Sequence, residues 1–136
     1  MTAPRRNLVP FSCCVLAAFL AMTGCAAAHH APPRPARINH VVFFKLKDPA
    51  EAQDLIRDCD HLLATVPGIV AGCAGTHLEP ARPDSDSDYD VAFYAGFMNE
   101  EDYKAYEGHP AHAEAVAKWG PRLQWLRVYD VVDGTP

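Results

Sequence analysis

An α+β fold of ferredoxin-like arrangement, a four-stranded antiparallel sheet with helices on one face, is what the sequence predicts. Two observations carry it. The apolar periodicity runs in the order strand, helix, strand, strand, two short helices, strand, with no repeat at a fixed period. The first strand, moreover, is apolar on both faces, so helices cover one side and something else must cover the other. A second copy of the chain is the simplest cover.

The first strand spans Ile38 to Lys47, with His40, Val42, Phe44 and Leu46 on one face and Val41, Phe43 and Lys45 on the other. Asp48-Pro49 then supplies a cap and a first-turn proline for a helix running to about Thr65. Leu55, Ile56, Cys59, Leu62, Leu63 and Val66 recur at helical spacing and form its buried stripe. Pro67-Gly68 ends that helix, and Ile69 to His77 reads as a Gly-rich second strand.

Glu79 to Asp90 is an acidic, turn-rich loop leading into a third strand, Val91 to Met98, and the two strands suggest a hairpin. Asp84, Asp86, Asp88 and Asp90 alternate as calcium ligands would. A calcium loop of the EF-hand kind needs Gly and Glu where Tyr89 and Ala95 stand, so the loop is read as solvated. Asn99 caps a helix over Glu100 to Glu107, Gly108 stops it, and Pro110 opens another to about Trp119. Leu123 to Val132 closes the sheet.

Ahead of this domain stand Arg5 and Arg6, an apolar run from Cys13 to Met22, and Met22-Thr23-Gly24-Cys25. The run has ten residues, against about 20 for a retained membrane span, so residues 1–24 read as a secretory signal. The tetrapeptide resembles a bacterial lipobox, which makes Cys25 the expected lipidation site, with residues 25–37 as a Pro- and Ala-rich tether. The expected location is extracytoplasmic, anchored to a membrane through the lipid. Cleavage there leaves ten basic against seventeen acidic side chains, net −7, which argues against nucleic acid as a partner. Cys59 and Cys73 remain, either as a disulfide or with Cys59 packed in the helix stripe.

The strand His40-Val41-Val42-Phe43-Phe44-Lys45-Leu46-Lys47-Asp48, the turn Val66-Pro67-Gly68-Ile69, the pair Tyr89-Asp90 and the segment Tyr106-Glu107-Gly108-His109-Pro110-Ala111-His112 resemble the stress-responsive α/β barrel family, often called Dabb. The likeness covers residues 38–133 and includes the closing Tyr129-Asp130. It implies a dimeric α/β barrel in which two ferredoxin-like subunits press their sheets together. A plant polyketide cyclase of that family closes its substrate by cofactor-free aldol chemistry through a Tyr and a His of this segment. The matching positions are Tyr106 and His112, with His109 between them and His40 on the first strand as ligand-binding candidates. Lys118 replaces an apolar pocket residue of the cyclase and Val91 replaces a histidine, so the cyclase's own substrate does not transfer.

A histidine in the first turn of a helix is disfavoured as a cation by the helix dipole, so His112 suits a base, and a protonated Tyr106 suits a donor to a developing enolate. The competing reading is structural, with His109 capping the helix and His112 hydrogen-bonded in the core. Neither a metal nor another cofactor is expected: His109 and His112 have no third ligand fixed by spacing, and no glycine loop marks a nucleotide or flavin. The sequence therefore favours a module that binds a small apolar or aromatic molecule, with a cofactor-free enzyme and a plain interaction module as alternatives.

Overall fold

The computed structural model describes residues 32–79 and 82–135. The stretch read as a signal peptide, residues 1–24, and the expected lipidation site Cys25 lie outside the described residues. Strand β1 (Ile38–Leu46), helix α1 (Ala52–Thr65), strands β2 (Ile69–Gly75) and β3 (Val91–Phe97), helices α2 (Glu100–Glu107) and α3 (Pro110–Trp119), and strand β4 (Leu123–Val132) follow in the order read from the sequence. The sheet order is β2-β3-β1-β4, every neighbour antiparallel.

Local chemistry sets the boundaries. The Asp48 carboxylate accepts from the Ala50 N–H at 3.0 Å, and Pro49–Glu51 make one 3-10 turn before α1 begins. Gly68 takes φ +86°, a conformation that strains any side chain, and so turns α1 into β2. Gly72 lets β2 lie close under α1, since a Cβ there would meet the Leu63 side chain at 2.4 Å. Asn99 caps α2 by accepting from the Asp102 N–H at 2.8 Å.

Registration places His40, Val42, Phe44 and Leu46 of β1 on the face that carries Val91, Phe93, Ala95 and Phe97 of β3. That face meets Leu55, Cys59 and Leu62 of α1, together with Tyr106 and Trp119, in a single core. The opposite face carries Val41, Phe43, Tyr94, Tyr129 and Val131, and no helix of the described residues covers it. Tyr89, at the end of the acidic loop, packs edge-on against Phe43 with ring centroids 4.9 Å apart. The loop is tied down by Asp90, whose carboxylate accepts from the Leu46 N–H at 2.7 Å. Its acidic side chains meet cations of the protein: Lys45 reaches Asp88 at 3.1 Å, and Arg127 reaches Asp86 at 3.4 Å. Of the two readings for the thiols, packing holds and the disulfide does not: Cys59 is buried on α1, Cys73 is exposed on β2, and both are free.

Candidate functional site

Between the helices and the β1–β4 half of the sheet lies a cavity of about 340 Å³. Val42, Phe44, Leu62, Phe93, Leu126 and Val128 supply much of its apolar wall. Such a volume falls within the range of small-molecule sites, about 300 to 1,000 Å³. Polar groups gather where β1, α2, α3 and β4 converge.

Tyr106 ends α2 and is only 2% exposed, while His112 stands in the first turns of α3. The break at Gly108-His109 folds the second helix back so that the two rings lie 4.6 Å apart, and both line the cavity. His112 Nδ1 donates to the Glu107 carbonyl at 3.1 Å. A carbonyl only accepts, so the proton sits on Nδ1 and the neutral ring keeps its lone pair on Nε2. Burial pushes the Tyr106 phenol well above its ordinary range, helped by the neighbouring acidic groups, so its hydroxyl remains a donor.

His40, 7% exposed, is the one buried polar residue among the described residues. Its Nδ1 donates to Asp130 at 2.7 Å across the β1–β4 ladder. Its ring lies 5.5 Å from Tyr106 and 5.8 Å from Tyr103. The Tyr103 phenol is likewise pushed up, first by burial and then by the charges of Asp130 and Glu107. Three of the four sequence candidates, His40, Tyr106 and His112, therefore share one cavity.

His109 does not join them. Its Nδ1 accepts from the Ala111 N–H at 3.2 Å, which makes it the cap of α3, and it is not among the cavity's lining residues. His109 thus takes the capping place that the structural reading gave it, outside the cavity that holds the other three. His112 belongs to both readings, since it is held by a backbone carbonyl and still lines the cavity. Tyr103, Glu107 and Asp130 were missed by sequence reasoning. Asp130 belongs to the closing Tyr129-Asp130 pair of the family likeness, but its partner stands 90 residues away and no local pattern announces their bond.

At the far end, Asp58 on α1 accepts from Trp119 Nε1 at 2.7 Å and pairs with Lys118 at 2.5 Å. Burial pushes this carboxyl up, yet the bonds from Lys118 and Trp119 and the charges of Lys118 and Arg57 outweigh it and hold the group below its usual range. Lys118 is spent on that pair and does not line the cavity. No group of three or more His, Cys, Asp or Glu side chains is arranged to hold a metal ion among the described residues.

The model of the stress-responsive A/B barrel domain matches residues 38–133. A dimeric ferredoxin-like protein of unknown function from Thermobifida fusca is 24% identical; the match covers 76% of this chain and 100% of that one, with a TM-score of 0.61. A Dabb family protein with a ferredoxin-like fold from Mesorhizobium loti is also 24% identical, with 72% and 97% covered and a TM-score of 0.60. The hydroxynitrile lyase of Passiflora edulis is 21% identical, with 76% and 98% covered and a TM-score of 0.64. These identities speak for the fold. Comparison with curated proteins finds no match.

Proposed function

Because the chain belongs to the stress-responsive A/B barrel domain family, we propose that it works as a homodimer in which each protomer binds one small apolar or aromatic molecule between its helices and its sheet. The cavity carries this reading: it is apolar along its length and polar at one end, where Tyr106, His112 and His40 converge. That pattern suits a greasy body with one polar head. The dimer is supported by the uncovered aromatic and aliphatic face of the sheet, and by the dimeric state of the Thermobifida fusca relative. A lipid on Cys25 and a place outside the cytoplasm complete the proposal, supported by Met22-Thr23-Gly24-Cys25 and the tether after it.

Titration with a panel of hydrophobic aromatic compounds tests the binding reading. Trp119 lines the cavity, so its emission in a Trp125→Phe background should change saturably. No change across the panel would sink the reading. Lipidation predicts a diacylglyceryl mass on Cys25 in the membrane fraction and a soluble Cys25→Ala protein.

One observation favours a cofactor-free enzyme as the second reading: the Glu107 carbonyl holds His112 in the tautomer that leaves Nε2 basic beside Tyr106. In that role His112 Nε2 takes a proton from a carbon next to a carbonyl, and the Tyr106 hydroxyl donates to the oxygen as it becomes an enolate. The enolate carbon then attacks a second carbonyl, and the resulting alkoxide recovers the proton from the imidazolium. Substrates of polyketide or phenolic type fit the cavity's lining. His112→Ala and Tyr106→Phe should each abolish turnover while the melting temperature holds; unfolding in both would make the corner structural.

A further inference from the structure

The charge pattern of the cavity narrows what can enter it. Its lining includes three acidic residues, Asp58, Glu107 and Asp130, and, among the described residues, no lysine or arginine. Asp58 is already engaged by Lys118 and Trp119 at the apolar end. The other two stand together at the polar end. Asp130 meets only His40 as an ionic partner among the described residues, and Glu107 has no Lys or Arg within ion-pair distance there. Both line the cavity together with Tyr103, and Asp130 holds His40, whose ring lies 5.8 Å from that of Tyr103.

Aromatic rings line that end as well. Tyr103 and Tyr106 are stacked, centroids 6.5 Å apart and 24° between planes, with His40 and His112 packed against Tyr106. An aromatic face attracts a cation through its quadrupole, by about 0.5 to 2 kcal/mol depending on desolvation. Both imidazoles give their Nδ1 proton to the protein and so keep Nε2 to accept a donor. The polar end therefore offers carboxylates, lone pairs and ring faces.

Resting on the binding reading above, we propose that the molecule held here is a hydrophobic amine, an aryl- or alkylammonium whose body fills the apolar cavity and whose cationic head lies among Tyr103, Tyr106, Glu107 and Asp130. A carboxylate head is rejected. It would meet two like charges with no lysine or arginine among the described lining residues to offset them, which is the arrangement that excludes wrong partners. A neutral alcohol or phenol head falls between the two, since it donates one hydrogen bond and carries no charge.

Three probes of matched body separate these cases: phenylbutylamine, phenylbutanol and phenylbutyrate, titrated by calorimetry against the full chain. A pH of about 8 keeps free imidazole neutral and an alkylamine charged. The amine is expected to bind roughly tenfold or more tighter than the carboxylate, with the alcohol between. Glu107→Gln, a change at an exposed position that leaves the core untouched, should narrow that ratio several-fold. Ala115→Trp, which fills the cavity, should remove amine binding; amine binding that persists there would belong to the acidic surface and overturn the proposal. Equal affinities, or a carboxylate that binds best, overturn the head-group assignment and leave the cavity reading standing. Failure of all three probes ends both.

Discussion

Strands β3 and β4 both pair with β1, one on each side, and both are written in aromatic and aliphatic residues. They end in opposite environments. In β3, Val91, Phe93, Ala95, Gly96 and Phe97 are buried, whereas β4 has only Leu123 and Trp125 even partly covered. Composition does not separate them; position does. β3 lies inside the sheet beneath α1, while β4 is the edge on the side the helices leave open. Leu126 (50% exposed) and Val128 (45%) consequently border the cavity, while Tyr129 (51%) and Val131 (54%) lie on the uncovered face. An apolar edge strand left bare on both sides is an association hazard unless something covers it. In the proposed function a ligand covers one side of β4 and a second copy the other.

The contrast breaks first on stability. Phe93→Ala should remove about 3 to 5 kcal/mol, because it takes a buried aromatic ring out of the core. Val128→Ala, equivalent in its distance from β1, should cost less than about 1 kcal/mol and show its effect in ligand affinity instead. Denaturant unfolding of the two variants measures both, and equal losses would mean that β4 is covered even in the isolated chain. Next comes association: Val131→Asp puts a charge on the uncovered face, and sedimentation should find half the wild-type mass at the same concentration. A wild-type mass of one chain would remove the dimer altogether.

Most of the fold was legible because its elements carry strong periodic signals and punctuation. Leu55, Cys59 and Leu62 announce the buried stripe of α1, and Pro67-Gly68 and Gly108 announce its end and that of α2. The site was legible only where it is local in sequence. Tyr106 and His112 stand six residues apart across one helix break, so both could be named. The His40–Asp130 bond depends on the register of β1 against β4, and Asp58 meets Trp119 only once α1 and α3 pack. Neither is written in a short window. His109 was legible as a residue that matters but not as to how; a histidine before a proline serves equally as ligand or cap until the position of the next N–H is known.

A smaller effect sharpens the comparison from the helix side. Asp58 ties α1 to α3 through Trp119 and Lys118, over the part of the sheet that is covered. Its folded carboxyl lies below the free value of 3.8, so its contribution to stability is present above that value and is lost as pH falls through the folded one. Asp58→Asn should therefore destabilise near neutrality by no more than about 1 kcal/mol, given its solvent exposure. The gap from wild type should close below about pH 4. A gap independent of pH would mean that the side chain acts by shape alone.

The smallest effect concerns no stability at all. Cys59 sits on the buried face of α1 in the cavity lining, and burial, followed by the charges of Asp58 and Asp60, pushes its thiol up to about 12. The thiolate is the reactive form, so at about pH 8 only about one Cys59 in ten thousand is competent to react. Cys73 pairs with Tyr94 on the uncovered face and is exposed. Iodoacetamide should accordingly modify Cys73 alone in the native protein, as peptide mass mapping would record. If a second copy covers that face, dilution or Val131→Asp should speed the reaction at Cys73 while leaving Cys59 unreactive. Cavity ligands should leave Cys73 unchanged, because they fill the other side of the sheet. A Cys73 rate indifferent to concentration and to Val131→Asp would put the dimer contact elsewhere, and the bare side of β4 would then need a different partner.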